Sequence, residues 1–215
     1  MKLFGGSNFI ETYSNSLTKK ECEILINQFE KSRQYEGISL YTSGKDGEDS
    51  HPKPVLDRSI KSCKQLADLN LNDGSIISRI IYPALIKGSK KYYEKYPALN
   101  NISGWRYDNH YSFQKYYRED DGYKSWHCEH GIGTPRRVMA WMFYLNNAKS
   151  GTEFRNHPTI QGERGSLSIW PAFWTHVHRG VTPNKGLKYI ITGWLSFTDT
   201  GCQDYGKDQS IVNIP

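Results

Sequence analysis

The chain has 215 residues, 28 Lys and Arg against 22 Asp and Glu (formal charge +6), 37% hydrophobic and 13% aromatic residues. That length suits one domain, the aromatic content excludes a disordered chain, and no apolar run approaches the ~18 residues of a membrane span. The mild positive excess fits an acidic substrate, a nucleic acid or plain solubility, and no Lys/Arg block selects among them.

The first clear element is a helix. Thr18-Lys19-Lys20-Glu21 forms a capping box, and Cys22, Leu25, Ile26 and Phe29 follow at helical spacing, which predicts a helix over about 18–32. Residues 40–54, rich in Gly, Ser, Asp and Pro, read as a long loop able to close over a substrate. A second helix is expected from Ile76 to Tyr96, kinked or split by Pro83. After Asn100, short β-prone runs alternate with turns. Arg106–Arg118, Arg137–Leu145, Gly165–Trp170, Thr175–His178 and Leu187–Phe197 read as strands, a spacing that points to a sandwich or jelly roll. The expected organisation is one domain over 1–215, helical to about residue 100 and β over about 101–200. The four cysteines lie far apart with no CxxC pair, against a disulfide framework or a zinc ribbon. The opening Met1-Lys2-Leu3-Phe4-Gly5-Gly6 lacks the apolar stretch of a signal peptide, so a soluble cytoplasmic protein is expected. The tail Gly201–Pro215 is polar.

Chemistry concentrates in Trp126-His127-Cys128-Glu129-His130. On a strand, residues two apart face the same way, so the His127 imidazole and the Glu129 carboxylate converge. Alone, a His-x-Glu pair is commonplace. Downstream, Trp174-Thr175-His176-Val177-His178 offers one more histidine, and two histidines with one carboxylate form the open facial set of non-haem Fe(II) oxygenases. Beyond a turn at Pro183–Gly186, Lys188, Ile190, Thr192 and Trp194 share one strand face. An inward lysine there needs a counter-ion, and a ligand carboxylate is the natural one. On a solvated face it would simply be wet.

In these residues the sequence resembles the Fe(II)- and 2-oxoglutarate-dependent dioxygenases, in particular their prolyl 4-hydroxylase-like branch. That family has His-x-Asp/Glu, a distal His, and a Lys or Arg about ten positions later; here His178 precedes Lys188 by ten. Arg137–Asn146 resembles the family's central strand, and Ser150-Gly151-Thr152-Glu153-Phe154 its Gly-rich turn. Trp170-Pro171-Ala172-Phe173 resembles the approach to the distal histidine, and Phe113-Gln114-Lys115-Tyr116 the strand whose Tyr meets 2-oxoglutarate. The Leu17–Phe29 helix resembles the family's opening helix, so the likeness spans most of 8–198.

The resemblance implies an α+β fold, a double-stranded β-helix (jelly roll) with N-terminal helices buttressing one sheet. It implies Fe(II) on His127, Glu129 and His178, with O2 and 2-oxoglutarate as cosubstrates and ascorbate as an expected reductant. Lys188 would hold the far carboxylate of 2-oxoglutarate, with Tyr116, Thr192 and Trp194 around it. The implied reaction hydroxylates an unactivated C–H and releases succinate and CO2. The expected substrate is a prolyl residue in a peptide or protein, gripped by Trp126, Trp141 and Arg179. Three departures stand out. Glu129 sits where Asp is usual; His176 competes with His178; and the spacing to His127 leaves Tyr117 an alternative to Tyr116. Competing readings are a small-molecule oxygenase, a nucleic-acid demethylase and a non-catalytic metal-holding binding module. The absence of Arg from 187–199 counts against the demethylase.

Overall fold

The computed structural model describes residues 8–37, 39–41, 53–66, 69–102, 104–131, 133–181 and 186–198. Most of the 40–54 loop, residues 183–185 of the expected turn and the Gly201–Pro215 tail lie outside them.

Strand β1 (Glu11–Tyr13) leads into helix α1 (Lys19–Lys31), followed by β2 (Tyr35–Glu36), β3 (Ser39–Tyr41), β4 (Lys53–Val55), β5 (Lys61–Ser62) and β6 (Lys64–Leu66). Helix α2 (Ile76–Lys95) and a 3-10 turn (Pro97–Asn101) precede β7 (Trp105–Tyr116), β8 (Gly122–Tyr123), β9 (Arg137–Tyr144) and β10 (Ala148–Phe154). The chain continues through β11 (Ile160–Gly162), β12 (Leu167–Pro171), β13 (His178–Gly180) and β14 (Lys188–Phe197). A seven-stranded antiparallel sheet runs β1-β12-β9-β14-β7-β6-β2 and a three-stranded one runs β11-β10-β13; β3-β4 and β5-β8 pair separately. The first hundred residues are therefore not wholly helical, since they supply β1, β6 and β2 to the larger sheet.

The capping box closes as the sequence predicts. Thr18 Oγ1 accepts from the Glu21 amide at 3.2 Å, and the Glu21 carboxylate accepts from the Thr18 amide at 2.7 Å. Cys22, Leu25 and Phe29 are buried beneath it. Helix α2 runs through Pro83 without splitting, so of the two expected outcomes the split does not occur. Both Pro83 and Arg79, whose carbonyl the missing amide releases, are exposed, so water can replace the lost bond.

The β-strands sort side chains to two cores. Trp141, Phe143, Ile191, Leu195 and Leu167 pack against the helices through Leu25, Phe29, Ile81 and Leu85. On the other face, Ala140, Met142, Tyr144, Trp170 and Ile190 meet Phe154 and Ile160 of the smaller sheet. Helices thus cover one face of the larger sheet and the smaller sheet covers the other.

Candidate metal centre and cosubstrate cavity

His127 and His178 are joined through their backbones. Each amide donates to the other's carbonyl, at 3.0 and 2.8 Å, and the bridge sets the rings 4.5 Å apart. Glu129 is tied in by its amide, which donates to the Ala172 carbonyl at 3.0 Å, and by its carbonyl, which accepts from Thr134 Oγ1 at 2.6 Å. One ligand atom from each of His127, Glu129 and His178 lies within 4.8 Å of the others. Glu129 Oε1 stands 3.4 Å from His178 Nε2 and 3.7 Å from His127 Nε2.

The tautomers follow from the other ring nitrogens. His127 Nδ1 bonds the Ser125 carbonyl and His178 Nδ1 the His176 carbonyl, both at 2.9 Å. Carbonyls only accept, so both Nδ1 atoms carry protons, and in the neutral rings both Nε2 lone pairs face Glu129. Burial and the neighbouring His127 lower the His178 pKa, keeping its imidazole neutral. Burial works to raise the Glu129 carboxyl; hydrogen bonds and charge from His127 and His178, present when their Nε2 atoms are protonated, outweigh it and pull it well below the usual carboxylate range. In that neutral state three acceptors converge on a point suited to a cation, and two imidazoles with one carboxylate suit a divalent transition metal. Tyr123, stacked on His127 at 3.8 Å, and Trp170, edge-on to His178 at 5.3 Å, fix the ring planes.

His176 does not share this site. It lies in a 3-10 turn (Trp174–His176), not in the expected strand, so the two-residue alternation fails. Its Nε2 donates to the Asn8 carbonyl at 2.8 Å, its Nδ1 meets Thr175 Oγ1 at 2.9 Å, and its ring stacks on His157.

A cavity of about 430 Å³ opens from His127, Glu129 and His178, lined also by Tyr116, Lys188, Thr192 and Trp194. Lys188 is 2% exposed; its Nζ donates to the Gly151 carbonyl at 2.7 Å and lies 5.2 Å from the Tyr116 ring centre. Burial pushes its pKa down to about 7. Tyr116 pairs with Lys188 across β7 and β14 and is buried, whereas Tyr117 is exposed, so Tyr116 faces the cavity. Thr192 Oγ1 donates to the Trp141 carbonyl at 2.8 Å.

The expected substrate trio is not gathered there. Trp141 packs on the helix side of the sheet. Trp141 pairs with Gly193, out of phase with the cavity-facing Thr192 and Trp194; beyond it a β-bulge reverses the alternation, since Leu195 pairs with Met139 but Ser196 with Arg137 and Val138 is left over. Arg137 thereby shares the cavity face with Met142. Trp126 and Arg179 do not line the cavity; the Trp126 ring lies against the Arg155 and Arg179 guanidiniums at 5.1 and 4.5 Å, and Arg179 binds Glu153 at 2.8 Å. Sequence reasoning missed Arg137, Lys61, Gln65, Ser112 and Gln114, all of which line the cavity. Ser112 and Gln114 were within reach of strand alternation from Tyr116, and Arg137 stands out as the one charge in an otherwise apolar strand.

Residues 111–196 match the 2OG-Fe(II) oxygenase superfamily. Beyond that span, the chain's likeness is to the folds of solved structures. Among solved structures it is similar to a prolyl hydroxylase from Trichoplax adhaerens in complex with a hypoxia inducible factor peptide fragment (14% identity, TM-score 0.62, 88% of this chain and 84% of that one). It is also similar to the viral collagen prolyl hydroxylase of Paramecium Bursaria Chlorella virus-1 in its 2OG complex (15%, 0.56, 88% and 97%). A third likeness is to HygX from Streptomyces hygroscopicus with nickel and 2-oxoglutarate bound (7%, 0.55, 89% and 84%). At these identities the likeness is one of fold. No curated protein matches the sequence. Among the described residues, no helix is long and apolar enough to cross a membrane.

Proposed function

We propose that the chain is a single-domain Fe(II)- and 2-oxoglutarate-dependent dioxygenase whose two sheets form a double-stranded β-helix. In this reading it hydroxylates a prolyl residue of a peptide or protein, releasing succinate and CO2. The observation that carries it is the convergence of His127, Glu129 and His178 in the cavity that holds the buried Lys188. His127, Glu129 and His178 hold the iron, whose oxygen chemistry supplies the oxidising power the side chains lack. Lys188 receives the far carboxylate of 2-oxoglutarate, which restores the counter-charge that burial denies it, and Tyr116 and Thr192 flank that end. The protonated Nδ1 atoms keep the imidazoles aimed, while Trp170 and Phe154 shield the His178 ring from water. The prolyl substrate rests on the likeness to prolyl hydroxylases.

A second reading takes a small polar molecule as substrate, because Lys61, Gln65, Ser112 and Gln114 line the cavity where a proline ring would want apolar walls. Anaerobic titration of the Fe(II) protein with 2-oxoglutarate is the first test, and a saturating visible charge-transfer band is expected. Absence of the band with iron bound refutes the oxygenase and favours a metal-holding binding module. Succinate release above the uncoupled rate with proline-containing peptides, and not with alanine counterparts, supports the prolyl substrate; stimulation by small polar molecules alone supports the second reading.

A further inference from the structure

The two oxygens of Glu129 have separate surroundings. Oε1 faces the histidine Nε2 atoms. Oε2 accepts from Trp194 Nε1 at 2.7 Å and from an Arg137 guanidinium nitrogen at 3.2 Å. The guanidinium itself lies 3.4 Å over the Trp194 ring centre, with Asp108 on its far side at 3.9 Å. Neither donor is there by accident of a mobile surface. Trp194 is inward on β14 opposite the small Ala140, and Arg137 reaches the same spot only because Val138 bulges. The bulge therefore serves to aim a cation at one carboxylate oxygen.

From this arrangement we infer that Arg137 and Trp194 are positioning residues that occupy Glu129 Oε2 and leave Oε1 alone to meet the metal. The inference rests on the metal site proposed above. A glutamate has one more rotatable bond than an aspartate, so it can swing and can offer both oxygens at once. Two donors on Oε2 remove that freedom. Arg137 also supplies positive charge to a largely buried carboxylate before any metal arrives. The longer side chain at this position is thereby accommodated by two partners that lie outside the His127–Glu129–His178 set.

Co(II) is the probe, since its d–d absorption weakens as coordination number rises. The protein is titrated anaerobically with Co(II) as wild type, Trp194→Phe, Arg137→Gln and Arg137→Lys, with folding followed by circular dichroism and melting temperature. Trp194→Phe keeps the ring and deletes only the indole N–H, so it keeps the test valid if Arg137→Gln fails to fold. Each of Trp194→Phe and Arg137→Gln is expected to weaken Co(II) binding about 10-fold or more and to lower the molar absorptivity as the freed Oε2 joins the metal. Arg137→Lys is expected to fall between Arg137→Gln and wild type. Because both donors serve one oxygen, the double variant should lose less than the product of the single losses. Wild-type affinity and an unchanged spectrum in folded Trp194→Phe and Arg137→Gln overturn the inference while leaving the metal site intact. Failure of the wild type to bind Co(II) overturns both.

Discussion

Replacing Lys188 by Met should stabilise the protein in the absence of ligands and abolish its hold on 2-oxoglutarate. Burial lowers the Lys188 pKa from 10.5 to about 7. At about 1.4 kcal/mol per tenfold loss of proton affinity, the folded state bears about 5 kcal/mol whenever the ammonium is charged. Methionine fills a similar unbranched volume without charge. The Gly151 carbonyl that Lys188 bonds also accepts from the Val181 amide at 3.1 Å, so it keeps a partner. Lost contacts with Gly151 and the Tyr116 and Tyr144 rings offset part of the gain. A net gain of about 2–4 kcal/mol remains, or a rise of roughly 5–10 °C in Tm for a domain of this size. The pH dependence has a fixed sign. A lysine depressed in the folded state destabilises fully below about pH 7, and the cost fades as pH rises toward 10.5. The melting gap between variant and wild type should therefore be widest near pH 6 and close by pH 10. With metal present, 2-oxoglutarate should raise the wild-type Tm and leave Lys188→Met nearly unmoved, because a buried charged partner is worth about 30-fold or more in affinity. A variant less stable than wild type at pH 6, a gap that widens with pH, or unchanged 2-oxoglutarate binding would refute the reasoning.

Three further outcomes are expected. His178→Ala should lose Co(II) binding by orders of magnitude, whereas His176→Ala should retain it and lose only stability through its Asn8 and His157 contacts, as read by metal titration and melting. Gly151→Ala would set a Cβ 1.7 Å from the Ile160 carbonyl oxygen, so the β10–β11 pairing must shift; a loss of about 3 kcal/mol or more is expected in urea unfolding. Thr18→Ala should break the capping box, cost about 1 kcal/mol and leave metal affinity unchanged, which thermal melts and Co(II) titration would check.

The parts legible in the sequence are those set by local rules. The α1 cap depends on residues three apart, and the inward set Lys188, Ile190, Thr192 and Trp194 depends on the two-residue period of one strand. His127 and Glu129 obey the same period although no long strand holds them. Where pairing with another strand intervenes, the local reading fails. Arg137 and Trp141 are four apart and would share a face, but the Val138 bulge exists only in register with β14. His176 and His178 are two apart, yet the first ends a 3-10 turn and only the second lies in the ladder. Lys61 and Gln65 reach the cavity because β5 pairs with β8 and β6 with β7, which no short-range pattern near them announces.

One strand, β14, carries Lys188 at one end of the cavity and Trp194, partner of the Glu129 carboxylate, at the other. Six residues of strand separate them by about 20 Å of chain. The strand thus acts as a ruler, and its graduations alternate between two uses, since Tyr189, Ile191 and Leu195 belong to the helix-side core and Gly193 lies under the Trp141 ring. Removing or adding one residue between the two marks would turn one of them out of the cavity and bring its outward neighbours in. Substitution along this strand can be gradual, but a change in its length cannot. Drift in chain length is confined to the connections beyond its ends.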